Sequence, residues 1–295
     1  MAVTPYCCAL MTDSCCDLPR ETVERYGIEV LPFPFTLDDV EYLDDLGDTL
    51  SHVAFYESMR AGGLPNTAQV PMSAYLSAFR AAAQAQTPLV FLSFSSALSG
   101  THDTSLIARD VVIAEFPEAE IRIVDTHSAS TAQALLVLEA GRLHAAGATA
   151  AEIASWAQTN RHRVNGYFTL ETLEHLRRGG RISDVAAAAG AMLDVRAILK
   201  LDCDGALVIE RVARGRKKSL RALAEIFAKR AHGPAENTVV IAHADSEADA
   251  LLLETLLRAN HEIGEVVHID VGPVIGAHTG PGMVACVFWG TERDE

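Results

Sequence analysis

The chain has 295 residues, room for two units of roughly 150 residues each, and 49% of it is hydrophobic, ample material for a core. Its formal charge of −15 repels phosphate backbones and anionic bilayers, which argues against nucleic-acid and membrane-surface binding. No apolar run reaches the roughly 20 residues of a membrane span; the stretch Val185–Leu199 is broken by Asp194 and Arg196, and the first residues, MAVTPYCCALMTDS, lack the basic segment and longer apolar run of a secretory signal, so a cytoplasmic protein is expected.

In chain order, Tyr6–Thr12 reads as a buried strand running into Asp13-Ser14. Asp17-Leu-Pro-Arg-Glu then offers an N-cap, an early proline and an acidic first turn for a helix that stops at Gly27. Glu29–Phe35 is a strand, Ser51–Arg60 and Met72–Gln86 are helices, and Leu89–Ser93 is a strand. The small-residue loop Ser95–Thr101 opens another helix; Ile121–Val124 is a strand ending at Asp125, Ser128–Ala146 a helix, and Thr149–Thr159 a bridging helix. The βαβα alternation predicts an α/β unit with a mostly parallel sheet.

From about Val164 the pattern changes. Gly166–Leu170 is a strand, Thr172–Arg178 a helix ending in Gly179-Gly180, and Ser183–Leu193 an Ala-rich helix. Arg196–Leu201 and Ala206–Val212 flank Asp202-Cys-Asp-Gly205 as a β-hairpin. Helices Lys217–Ala231 and Ala248–Asn260 and strands Thr238–Ala242, Glu265–Asp270 and Val284–Trp289 complete a mixed half. The expected division is 1–160 and 161–295.

Six cysteines, at positions 7, 8, 15, 16, 203 and 286, lack the C-x₂₋₄-C spacing of a zinc site and read as free thiols, with Cys15 and Cys16 in a loop as the candidates for redox sensitivity. No P-loop, G-x-G-x-x-G, H-E-x-x-H or G-x-S-x-G occurs, which removes the commonest nucleotide, zinc and hydrolase readings, and no cofactor is called for.

Ligands of parallel α/β sheets sit beyond the carboxyl ends of the strands. Three such loops, Thr12-Asp13-Ser14, Ser93–Thr101 and Asp125–Ser130, are rich in Ser, Thr and Asp, although the same residues are ordinary helix caps. Ser95–Thr101 offers hydroxyls at a helix start, which favours one small anion, and it lacks the lysine of a triphosphate site. The stretch Gly272–Gly282 reads as a second loop, with four glycines in eleven residues around His278 and Thr279; a histidine in such a setting is a structural residue or a ligand contact. Thr172–Ser183 carries three arginines, which read as a solvated face, except that Arg181 is placed to point inward. Arg211–Arg221 is the strongest basic cluster of an acidic chain.

Seven segments together resemble the successive motifs of the DegV family: Met11-Thr-Asp-Ser14 with Asp17-Leu-Pro19, Asn66-Thr67-Ala-Gln69, Ser95–Thr101, Val124–Ser130, Thr172–Ser183, Arg214–Lys218 and Gly272–Gly280. They fall in family order over nearly the whole chain. The resemblance implies a two-domain α/β protein: an N-terminal three-layer α/β/α domain with a mostly parallel sheet, a C-terminal two-layer α/β domain with a mixed sheet, and one long-chain fatty acid between them. For some members it implies service as the acyl-carrying subunit of a fatty acid kinase, with acyl phosphate formed on a separate kinase subunit. Carried over by position, it implies Thr67, Ser99, His278 and Arg181 at the carboxylate. Ser95, Ser96, Gly100 and Thr279 would support that site, and Arg214, Arg216 and Lys217 would meet a partner or phosphate. The chain departs from the family where Thr67-Ala-Gln-Val-Pro71 replaces the usual T-S-Q-P-S and where Cys15-Cys16 follows T-D-S. Ala186–Met192 and Val195–Leu199 are candidates for lining a tail pocket. Rival readings are a Ser99/His278 acyl hydrolase and a small-ketone binder like the dihydroxyacetone kinase domain.

Overall fold

The computed structural model describes residues 6–183 and 195–294. Strands β1 (Ala9–Asp13), β2 (Ile28–Leu31), β6 (Leu89–Ser93) and β7 (Ile121–Asp125) form a parallel sheet in the order β2-β1-β6-β7. β1 and β6 are apolar on both faces, as strands covered on both sides must be. Helices α1 (Arg20–Tyr26), α3 (Met72–Gln84), α4 (Thr101–Glu115), α5 (Ser130–Ala145) and α6 (Ala150–Asn160) surround this sheet, while Phe55 of α2 (His52–Arg60) packs against Phe35. α6 starts on a capping box between Thr149 and Glu152.

The second sheet has six strands in the order β10-β9-β8-β13-β11-β12: β8 (Val164–Thr169), β9 (Val195–Leu201), β10 (Leu207–Arg214), β11 (Val239–His243), β12 (Val266–Asp270) and β13 (Val284–Trp289). β11 and β12 pair in parallel, and the other described pairs are antiparallel. Successive strand residues point to opposite faces, and β13 shows the consequence. Val284, Cys286 and Phe288 pack with α8 (Arg216–Arg230) and α9 (Glu247–Arg258) on the outer face, while Ala285, Val287 and Trp289 join the main core on the inner face.

α5 lies between the sheets, touching β1 on one side and β8, β11 and β13 on the other. It is buried almost all round, with no polar stripe, as a helix covered on every side must be. Small residues let it approach closely: a Cβ on Gly166 of β8 would stand 3.1 Å from the Ala132 Cβ of α5.

Several expectations change. The strand expected over Glu29–Phe35 is two, because Pro34 starts β3 (Pro34–Leu37), which pairs with β4 (Val40–Leu43) and β5 (Asn66–Thr67) in a separate antiparallel sheet. The stretch Gly272–Gly282 is not a loop: Pro273 occupies the first turn of helix α10 (Pro273–Thr279), which ends at Gly280, φ 72°. Asp17 does not cap α1; it adopts a left-handed conformation, φ 56°, after a 3-10 turn at Ser14–Cys16, and Pro19 takes the cap position. Cys15 and Cys16 are buried in that turn rather than displayed in a loop, and burial drives both thiols well above their usual range, which makes them poor redox centres. The helix expected over Ser183–Leu193 lies, apart from its first residue, outside the described residues. Among the described residues no helix is long and apolar enough to cross a membrane.

Candidate functional site

The carboxyl end of β6, the first turn of α5, the inner face of the mixed sheet and α10 enclose a cavity of about 280 Å³, near the lower end of the usual range for ligand sites, roughly 300–1,000 Å³. Phe33, Phe94, Leu98 and Ala132 line it from the first half of the chain, and Phe168, Leu207, Ile275 and Val287 from the second. Most of its wall is therefore apolar, and the polar side chains gather where three segments meet.

At that meeting point Thr67, on the short strand β5, faces His278, near the end of α10. Thr67 Oγ1 and His278 Nε2 are hydrogen-bonded at 2.9 Å. Nδ1 of the same ring is buried and has no partner among the described residues. The ring sits against the Gly179-Gly180 turn that follows α7 (Glu174–Arg178), and only a glycine fits there, since a Cβ on Gly179 would stand 2.1 Å from Nδ1. Burial first, then the nearby charges of Arg181 and Arg178, push the His278 imidazole down to about 4, so the ring is neutral at physiological pH.

Arg181 points into the cavity. Its Nε donates to the Leu98 carbonyl at 3.1 Å and its Nη1 to the Gly179 carbonyl at 2.5 Å. These bonds tie the arginine turn to the loop that carries Ser99. Ser99 also lines the cavity, its Oγ accepting weakly from the Thr101 amide at 3.3 Å. Thr279 lines it too, with its hydroxyl donated to the Ile275 carbonyl one turn earlier. The four principal sequence candidates, Thr67, Ser99, Arg181 and His278, thus converge on one cavity.

Others do not. Ser95 Oγ donates to the Gly205 carbonyl at 3.0 Å in the β9–β10 turn, the Ser96 amide donates to Asp125, and Gly100 packs against Gln69; none of the three lines the cavity. Arg214, Arg216 and Lys217 stand apart from it, at the junction of β10 and α8. Arg216 is held by Asp249 at 2.8 Å, whereas Arg214 and Lys217 are exposed. Of the proposed tail-lining stretches, Ala186–Met192 lies outside the described residues, and no residue of Val195–Leu199 lines the cavity; Leu201 and Leu207, flanking the hairpin turn, do so instead. Of the Asp125–Ser130 loop singled out in the sequence, Ala129 and Ser130 line the cavity; Thr131 and Ala132 beyond it, and Phe33 and Phe94, were not singled out. Both phenylalanines lie just beyond strand ends and are buried, a signal of core but not of a cavity.

Among the described residues no group of three or more His, Cys, Asp or Glu side chains is placed to hold a metal ion. Chemically, the arrangement offers hydroxyl donors, one guanidinium and a neutral imidazole to a small acceptor group, with an apolar space behind it.

Comparison with known proteins places the chain in a family. The family model described as uncharacterised protein, DegV family, matches residues 8–290. A DegV domain-containing protein of Clostridium perfringens is 39% identical over 285 residues, covering 97% of this chain and 98% of its own. A DegV family protein of Thermus thermophilus, whose structure is described as fatty acid binding, superposes with a TM-score of 0.85 at 27% identity, covering 96% of this chain and 99% of its own. The Streptococcus pneumoniae fatty acid kinase B3 protein, loaded with linoleic acid, superposes with a TM-score of 0.82 at 22% identity, covering 95% and 98%, a likeness of fold alone.

Proposed function

We propose that this chain, which belongs to the DegV family, binds a long-chain fatty acid, with the acyl tail in the apolar cavity and the carboxylate on Thr67, Ser99, Arg181 and His278. The observation that carries this reading is the pairing, in one cavity, of an apolar wall with the linked polar cluster of Thr67, His278 and Arg181. Fatty acid binding by the Thermus thermophilus relative supports it.

The energetics suit such a ligand. Each methylene taken from water gains about 0.8 kcal/mol, so a tail of about 15 methylenes gains on the order of 10 kcal/mol before ordering costs. An isolated carboxylate is costly to bury. Here neutral donors share it: the Thr67 and Ser99 hydroxyls hydrogen-bond it, the neutral His278 orients Thr67, and Arg181, already engaged by two carbonyls, adds charge without a full bidentate clamp. With Nε2–H donated to Thr67 Oγ1, the Thr67 hydroxyl proton is left for the ligand, so the site selects an acceptor head. Taking 1–160 and 161–295 as two domains, the fatty acid lies between them.

The test is lipid content. The double variant Thr67→Ala, Ser99→Ala should purify with at least about tenfold less fatty acid by native mass spectrometry, and an unchanged lipid load would overturn the assignment.

The chain acts in this reading as a carrier without catalysis of its own, presenting the carboxylate to a separate fatty acid kinase. The exposed Arg214 and Lys217, in an otherwise acidic molecule, supply a docking face. Transfer should weaken with salt, because exposed charges are screened over about 8–10 Å at physiological ionic strength. Salt-independent transfer would remove these residues from the interface. An acyl hydrolase would need a base on Ser99, but the His278 ring is hydrogen-bonded to Thr67.

A further inference from the structure

A second cleft, of about 880 Å³, shares no lining residue with the apolar cavity. It opens beyond the carboxyl ends of β11 and β12, the parallel pair of the mixed sheet, whose last residues His243 and Asp270 line it. That is where open α/β sheets bind ligands.

Its walls are acidic, with Asp17, Asp44, Asp245, Glu247 and Asp270 set against Arg20 and three histidines. Several of these charges are answered within the protein. Arg60 Nε reaches Asp245 at 2.5 Å, and His243 Nε2 lies 3.2 Å from Asp270. Arg20 bonds Asp48, and Asp17 accepts from the Ser130 hydroxyl and the Gly272 amide.

Asp44 differs. It is 2% exposed, and its Oδ2 has no hydrogen-bond partner among the described residues. The neutral donors Ser14 and Leu46 and the further carboxyls Asp45 and Asp13 act on it. His52 Nε2, on the same cleft, is also buried and unpartnered. A buried acceptor without a donor is costly, so a fitting ligand must bring N–H groups and positive charge. A metal ion would lack its ligand shell, since no group of three or more metal-ligating side chains converges among the described residues. An ammonium needs only a few acceptors at hydrogen-bond distance. Between the polar groups the lining is aliphatic, from Leu46, Val53 and Leu251, which suits a methylene chain.

We propose that this cleft binds a small aliphatic diamine, one ammonium group on Asp44 and the other toward the carboxylates at the ends of β11 and β12.

The test is isothermal titration of the purified, lipid-loaded protein with 1,4-diaminobutane at pH 8, where the Asp44 carboxyl, raised to about 7 by burial, is ionised. Saturable one-to-one binding with a Kd below about 1 mM is expected, with no binding of the neutral isostere 1,4-butanediol. Asp44→Asn should weaken it at least about tenfold, and Glu247→Gln, an exposed change at the mouth that leaves the core intact, about threefold. Lipid content, read by mass spectrometry on the same samples, should stay constant, so this proposal and the fatty acid reading fail separately. Absence of saturable binding, equal binding of the diol, undiminished affinity in both variants, or displacement of the diamine by stoichiometric Mg²⁺ would each overturn it.

Discussion

His278 owes its position to a side chain that is missing opposite it. Gly179 has an ordinary right-handed backbone, so alanine there is free of backbone strain, but its Cβ would stand 2.1 Å from the imidazole. Gly179→Ala is expected to push the ring from Thr67 and lower the co-purifying lipid roughly tenfold while the circular dichroism spectrum stays native. Full lipid retention would show that the head-group site does not depend on where the ring sits. A second residue-scale consequence concerns pH. Burial raises the carboxyls of Asp13 and Asp44 to about 7 from an ordinary value of 3.8. Between those values the folded chain holds protons that the unfolded chain has released, so their contribution to stability is full below about 4 and is lost as pH rises through 7. His278 has the opposite sign: its folded value is about 4 against 6.5, so it costs stability as pH falls from 6.5 toward 4. Asp44→Asn, a near-isosteric change at an oxygen without a partner, should therefore raise Tm at pH 8 by roughly 5 °C and change it little at pH 4. A thermal scan at both values checks this, and an equal shift at both would refute it.

At the scale of elements, the β9–β10 hairpin is latched to the parallel sheet by its turn. Ser95 Oγ donates to the Gly205 carbonyl, His127 Nδ1 bonds the Cys203 carbonyl at 2.8 Å, and a Cβ on Gly205 would strike both Ser95 and the His127 backbone. The Ser95 hydroxyl is thus engaged by the hairpin turn and does not line the cavity. Ser95→Ala should remove about 1 kcal/mol, lowering Tm by roughly 2 °C, and leave lipid content unchanged; a loss of lipid equal to that of the Thr67→Ala, Ser99→Ala variant would return Ser95 to the head group. The sequence motif could not separate Ser95 from Ser99, because four residues of one loop share a composition and only the fold decides which hydroxyl meets the hairpin. Elements with a clear length and composition, such as α5, α8 and the apolar β6, were legible, since these are local properties. β4 and β5 were not, because two to four residues give no period and their pairing is set by β3 alone. α10 was missed through its glycines, yet Gly272-Pro273 at its start and Gly280 at its end are the ordinary boundary signals of a helix. Of the four candidates that meet at the cavity, the Ser99 loop, Arg181 and His278 stood out from their residue patterns and Thr67 through the family resemblance; the apolar wall did not stand out, because its residues come from many elements and carry no fixed spacing.

Across the whole molecule, the cavity lies where the two sheets are held together. α5 packs on both, Tyr56 Oη donates to the Val271 carbonyl at 2.8 Å, Asp17 links Ser130 to the Gly272 amide, and Thr67 meets His278. A fatty acid in this cavity would touch residues from both sheets, so binding should stabilise the fold as one unit rather than either half. A ligand present at about 100 times its Kd adds about 2.7 kcal/mol to the stability of a protein that binds it only when folded. For a chain of this length that corresponds to a rise of roughly 4–5 °C in Tm. Protein stripped of lipid and then reloaded with a long-chain fatty acid should therefore melt in a single transition shifted upward by that amount, and the Thr67→Ala, Ser99→Ala variant should show little shift at the same ligand concentration. Two separate transitions, with only one of them moving, would mean that the ligand rests on one sheet alone, and the cavity between the sheets would then not be the fatty acid site.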